Sequence, residues 1–185
     1  MATIAQRMTL EQFRALPEGP PNMEFEEGEV IPVPSPTERH QDIMMSLGHF
    51  LNQWVAQRKL GKVCPAVDVY LPDGRCYVPD LQYISMVRLD FISPDDQKVH
   101  GVPDLAVEIT SSDPDRDRVH KFQVYFDNGV SWYWIVDSEN LAIEEYRRTP
   151  EGYIRKASVS SGQEFRPGLF PGLVINLAAL INPQA

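Results

Sequence analysis

The chain of 185 residues has only two cysteines, Cys64 and Cys76. Two thiols make no disulfide framework, and their spacing matches no zinc motif. They read as small buried hydrophobes in a reducing compartment. No uncharged apolar run reaches the ~18 residues that a membrane span requires. The opening residues, Met1 to Arg7, lack the apolar stretch of a secretory signal. A cytoplasmic address with no membrane partner is the expectation.

Basic residues are also scarce. Seventeen Lys and Arg face 26 Asp and Glu, for a net charge of −9. No basic run is longer than Arg147-Arg148, so tight non-specific binding of nucleic acid by a monomer is disfavoured. Repeats, low-complexity tracts and an interdomain linker are missing as well. What remains is an ordinary globular composition, 43% hydrophobic and 23% charged. A chain of this size buries roughly 70% of its unfolded surface. A single domain over 1–185 is expected.

The patterning places the elements. Thr9-Leu10-Glu11-Gln12 is a capping box opening a short helix that Pro17 stops. Alternation on both sides of Glu27-Gly28 predicts an N-terminal hairpin, so that helix and hairpin span 9–34. Ile43, Met44, Leu47, Phe50, Leu51, Trp54 and Val55 mark one face of a long helix over 37–59. Extended segments are predicted at 63–71, 76–86 and 101–110, the first two joined by a turn at Asp73-Gly74. Ser111 to Asp115 reads as a loop and helix cap. A helix over 115–127 follows, closed by Asn128-Gly129, then a buried strand at 131–136. A hairpin at 141–148 and 153–159 and a terminal helix at 175–181 complete the C-terminal part, 141–181. The fold class predicted is α/β (α+β): a mixed central sheet flanked by helices, with a helix–βββ–helix–β core over about 36–137.

Two segments echo each other, Val78-Pro79-Asp80-Leu81 and Val102-Pro103-Asp104-Leu105. The second continues as Ala106-Val107-Glu108-Ile109-Thr110. Strand alternation puts Asp104, Ala106, Glu108 and Thr110 on one face. Glu108 lies between two apolar residues, and carboxylates are rarely buried unless paired or bound to a cation. Asp80 raises the same question, and Pro79 predicts an edge or a bulge there. Two carboxylates on adjacent strands repel unless a cation lies between them. Hard oxygen donors suit Mg²⁺ or Mn²⁺, and such an ion activates water and supports phosphoryl transfer. On the next helix, Asp117, Lys121 and Tyr125 form an i, i+4, i+8 stripe, from which Lys121 can point back toward Glu108.

These pieces resemble the PD-(D/E)XK nuclease pattern and, over residues 9–181, the Uma-two family of restriction-endonuclease-like proteins. Glu24-Phe25-Glu26-Glu27-Gly28-Glu29, His40, Pro79-Asp80, Pro103 to Ser111, Arg116-Asp117, Lys121, Tyr125 and Gly129 to Asp137 carry the resemblance. It implies an αβββαβ core, a divalent metal and phosphodiester hydrolysis, with DNA as the substrate. Carried over residue by residue, Asp80 and Glu108 are metal ligands, Lys121 is the catalytic lysine, and Glu24 completes the site. His40, Asp104 and Thr110 are weaker candidates. In one departure, the pattern's lysine falls two residues after the acid, where this chain has Thr110, so Lys121 would have to replace it from the helix.

Other readings stay open. Asp80 and Glu108 can be carboxylates satisfied by backbone N–H groups or by arginine. Lys121 can be a surface lysine paired with Asp117. His40 can be a structural helix-start residue. The Asp113/Asp115/Asp117 run imitates a calcium loop but lacks its Gly and terminal Glu, so it reads as an acidic cluster at a helix start. A DNA partner requires a local basic patch, for which Arg39, Arg58, Lys59, Lys62, Arg116, Arg118, Arg147 and Arg148 are candidates, and a homodimer could join two such patches. The alternative to an enzyme is a nuclease-derived fold that has lost catalysis and serves as an interaction module.

Overall fold

The computed structural model describes residues 7–19, 21–110 and 115–181. Helix α1 (Leu10–Arg14) carries the predicted capping box, with the Thr9 side chain accepting from the Gln12 amide. Strands β1 (Met23–Glu26) and β2 (Glu29–Pro32) form the N-terminal hairpin. Glu27 and Gly28 both have positive φ, 50° and 90°, as its two-residue turn requires. Helix α2 (Glu38–Gln57) begins at Thr37 and buries Ile43, Leu47, Leu51 and Val55.

The first two of the three predicted extended segments each divide between two sheets. The first becomes β3 (Gly61–Pro65) and β4 (Val69–Tyr70). The second becomes β5 (Cys76–Tyr77) and β6 (Leu81–Ser85), followed by a 3₁₀ helix at Met86–Phe91. The third, 101–110, holds β8 (Leu105–Thr110) alone, and β7 (Val99–His100) precedes it outside the predicted strands. Pro79, which has no N–H to give a ladder, lies in the step between β5 and β6. Opposite it, Ala66 takes a φ of 46° and its N–H donates to the Asp80 carbonyl at 3.0 Å. The expected edge or bulge at Pro79 is thus a crossing between sheets. Asp80 lies on that crossing rather than within a strand.

After β8 the chain forms a π-helix (Arg116–Lys121) that runs into α3 (Phe122–Asn128), which Gly129 closes at φ 89°. The predicted helix is there, but its first turns are wider than an α-helix. The predicted cap at Ser111 to Pro114 lies outside the described residues. Strand β9 (Trp132–Asp137) and the hairpin of β10 (Ala142–Thr149) and β11 (Gly152–Val159) follow. Residues 175–181 do not form an α-helix: β12 (Glu164–Phe165) pairs with β13 (Ile175–Asn176), and Leu177–Leu180 is a 3₁₀ turn. Pairing with Glu164–Phe165 holds Ile175–Asn176 extended, and a single 3₁₀ turn follows among the described residues.

The larger sheet runs β11-β10-β9-β8-β6-β3, and only β8 and β9 are parallel. The π-helix and α3 make the crossover that a parallel pair demands. The smaller sheet runs β2-β1-β5-β4-β7. Leu105, Val107 and Ile109 face α2 and share a core with Trp134 and Val136. Ala106, Tyr133 and Ile135 face α3 and share a second core with Val124 and Tyr125. Glu108 projects to the same side as Ala106, toward Tyr125.

Candidate active site

At the C-terminal end of β8 a cleft of about 450 Å³ opens between the two sheets and the start of α2. Glu24, His40, Asp80, Glu108, Asp117 and Lys121 all line it. Each comes from a different local device. Glu24 is the inward residue of β1, its cross-strand partner Ile31. His40 is in the first turn of α2, where Thr37 caps its amide. Asp80 follows the crossing at Pro79. The wide π turns, whose hydrogen bonds reach five residues back, bring Arg116 and Asp117 round to the same side as Lys121.

Lys121 Nζ lies 2.9 Å from Glu24 Oε1, 3.1 Å from Glu108 Oε2 and 3.9 Å from Asp117 Oδ1. It is buried, which excludes a solvated surface pair with Asp117. The Tyr125 hydroxyl donates to Glu108 Oε1 at 2.8 Å, and Arg116 donates to Glu24 Oε2 at 2.7 Å. The Val78 amide adds a third donor to Glu24. Asp80 Oδ2 accepts from the Ile109 amide at 2.7 Å, while His40 Nε2 is 3.1 Å from Oδ1. Asp80 is therefore tied to the residue following Glu108, and neither acid is locked to a guanidinium. His40 is buried, and its Nδ1 has no hydrogen-bond partner among the described residues.

Burial pushes the Glu108 carboxyl well above the usual range; Lys121 opposes the rise, and the charges of Asp117, Asp80 and Glu24 add to it. Burial also lifts Asp117, to about 6. Glu24 is buried too, but Lys121 and Arg116 outweigh the desolvation and hold it low. Desolvation disfavours the Lys121 ammonium, yet Glu108, Glu24 and Asp117 together raise its pKa, so it stays charged. For His40, burial is overcome by the hydrogen bond and charge of Asp80, and the ring's pKa rises.

Four carboxylates therefore meet Lys121, Arg116 and His40 in one cleft. Among the described residues, no three His, Cys, Asp or Glu side chains form a ready metal shell. Mg²⁺, however, is commonly held by one or two carboxylates with water completing its octahedron. Hard oxygen donors in a cleft richer in carboxylates than in fixed cations suit such an ion.

The weaker candidates separate. Asp104 is at the opposite end of β8, where Oδ2 accepts from the Ser85 amide at 2.8 Å and Oδ1 is 3.3 Å from Arg88. Thr110 is buried, its hydroxyl donating to the Val136 carbonyl, and it does not line the cleft. Of the eight residues proposed for a basic patch, Arg116 alone lines the cleft. Arg39 donates to the Ser138 and Glu139 carbonyls, Arg118 pairs with Glu144, and Arg58 stacks on Trp54. Asp117 is the site residue that the sequence pattern hid, inside an acidic run that looks solvated. Its signals were the spacing to Lys121 and Tyr125 and the Arg116-Asp117 pair in the family resemblance.

No curated protein matches the chain. A crystal structure of a putative nuclease belonging to DUF820, from Anabaena variabilis, superposes with a TM-score of 0.74 at 20% identity, covering 94% of this chain and 97% of that one. That likeness shows that the two chains share a mixed α and β fold. The family model described as "Putative restriction endonuclease" matches residues 10–178. The chain belongs to that family, Uma2.

Proposed function

We propose that the chain is a Mg²⁺- or Mn²⁺-dependent endonuclease that hydrolyses phosphodiester bonds in DNA. Asp80 and Glu108 would hold the metal, Lys121 would act on the attacking water, and Glu24 would support the lysine. The observation that carries this reading is the position of Lys121 Nζ, 3.1 Å from Glu108 in the cleft that Asp80 also lines. A lysine on the helix thus supplies the charge that Thr110, two residues after Glu108, lacks.

A divalent ion bound there lowers the pKa of its water and offsets charge on the phosphate. The chain's own groups do the positioning. Tyr125 holds one oxygen of Glu108, and His40 with the Ile109 amide fixes the Asp80 carboxylate. Lys121, kept protonated by three acids, can orient water or stabilise developing negative charge. Glu24, itself held by Arg116, holds the lysine from the side of the smaller sheet. A homodimer in the cytoplasm belongs to the same proposal, since a second copy could set a second group of cationic side chains beside the first; sedimentation velocity tests it.

The test is nicking of circular DNA by purified protein with Mg²⁺ or Mn²⁺, lost in Asp80→Ala. Nicking that persists in that variant refutes the assignment. The alternative, an interaction module without catalysis, draws on one observation: both oxygens of Asp80, Glu24 and Glu108 already have partners inside the fold. Calorimetry separates the two. Catalysis requires divalent-ion binding that disappears in Glu108→Ala, and no binding at millimolar metal favours the module.

A further inference from the structure

The cleft restricts how a phosphodiester can arrive. Its functional groups are recessed: Glu24, Glu108 and Lys121 are 2%, 3% and 6% exposed. Above them stands a wall with no charged side chain, in which residues 31–36, Ile-Pro-Val-Pro-Ser-Pro, run past Met44 of α2. A volume of about 450 Å³ is that of a small-ligand site. It accommodates one nucleotide residue with its phosphate. In a paired duplex each phosphate is on a convex surface, between neighbours and a second strand that cannot follow it into a walled recess. Enzymes that must take a nucleotide into a pocket act on unpaired strands or extrude it.

Charge points the same way. Duplex binding draws its affinity from many phosphates neutralised at once, but here Arg116, Lys121 and His40 are the only basic side chains among the described residues lining the cleft, and each pairs with a carboxylate of the site. An unpaired strand needs fewer such contacts, because an apolar wall can take the sugar and the face of a base. Among the described residues the one aromatic ring lining the cleft is His40, which is tied to Asp80, so no Phe, Tyr or Trp there can favour one base by its stacking strength.

Building on the nuclease reading above, we infer that the substrate is single-stranded DNA, one nucleotide of which lies against the wall of Ile31, Val33 and Met44 while its phosphate reaches Asp80 and Glu108. The strand enters unpaired, and the site has little preference for sequence.

The experiment measures anisotropy of a short labelled oligonucleotide, alone or annealed to its complement, with Ca²⁺ as a probe ion. In parallel, cleavage of circular single-stranded DNA and of relaxed plasmid is followed with Mn²⁺. The single strand is expected to bind at least about tenfold tighter than the duplex. Val33→Asp, which puts a negative charge on the wall away from the acids, should abolish that preference. Folding of this variant is checked by its thermal transition, and Val33→Ser serves as a milder substitution of the same wall. Equal or tighter duplex binding, an unchanged preference in both variants, or cleavage of relaxed plasmid alone overturns the inference and leaves the nuclease reading standing. No binding and no cleavage of either DNA overturns both.

Discussion

The tetrapeptide Val-Pro-Asp-Leu occurs at 78–81 and again at 102–105, and its two copies build the same local device at opposite ends of one strand pair. Each aspartate immediately precedes a strand of the larger sheet, and β6 and β8 run antiparallel. Asp80 accepts the Ile109 amide near the far end of β8, and Asp104 accepts the Ser85 amide at the far end of β6. Proline stops the preceding strand from pairing onward, and the carboxylate satisfies an N–H that the shortened ladder leaves over. The ends differ in what else arrives. Arg88 approaches Asp104, whereas His40, Glu24, Glu108, Asp117 and Lys121 gather around Asp80. Chemistry therefore follows from the surroundings of the motif, not from the motif.

The sharpest way to break that contrast is to remove each aspartate in turn. Asp80→Ala should lower DNA cleavage by on the order of a thousandfold, about 4 kcal/mol in the barrier. Asp104→Ala should leave the rate per folded molecule within about twofold while costing about 1–2 kcal/mol of stability through the stranded Ser85 amide. Single-turnover rates and urea unfolding measure the two. Comparable losses of rate in both variants would make the two ends equivalent and defeat the comparison.

Lys121→Met removes the cation on which Glu24 and Glu108 converge. Because all three groups are buried, the uncompensated acids should cost about 3–5 kcal/mol, read from the urea midpoint at constant slope. Arg88→Met, at the other end, breaks a pair whose arginine is about a third exposed, and should cost under about 1 kcal/mol.

A substitution of opposite sign sharpens the contrast further. Burial lifts Asp117 from 3.8 to about 6. A raised carboxyl favours the folded state where it is protonated, so its contribution declines as pH rises through that interval and is unfavourable above it. Asparagine imitates the neutral acid. Asp117→Asn should thus stabilise the metal-free protein by about 1–3 kcal/mol above pH 6 and do little near pH 4. Thermal unfolding across that range checks it. A gain in stability accompanied by lost cleavage is the trade-off expected of a functional site.

Much of this arrangement was legible from residue patterns. The 3/4 spacing from Ile43 to Val55 marked α2 because a single apolar face has to meet the sheet. Glu27-Gly28 marked the hairpin because its turn needs two residues at positive φ. The apolar flanks of Glu108 marked a buried acid. The second sheet was not legible, since β4, β5 and β7 are two residues long; β4 and β5 belong to segments that patterning alone cannot divide, and β7 lies outside every predicted strand. Pro79 was the one signal of the crossing. The π turn left no mark either, because an acidic helix start predicts solvent exposure, and only the fold shows that Asp117 turns inward beside Lys121. The convergence of Glu24 with Glu108 spans 84 residues of chain and is a product of tertiary packing.

The smallest expected effect concerns His40, which has no counterpart beside Asp104. Asp80 raises the pKa of the ring against the opposing effect of burial. A base whose folded value is raised contributes stability that is complete below its unfolded value, near 6.5, and disappears as pH climbs through the folded one. His40→Gln should remove that slope on the alkaline side of 6.5 and leave stability well above it nearly unchanged. Repeating the profile in Asp80→Ala isolates the cause: if Asp80 holds the proton on His40, the slope disappears there as well, and a slope that survives assigns it instead to the other groups facing the ring, the Ile109 carbonyl and Asp117.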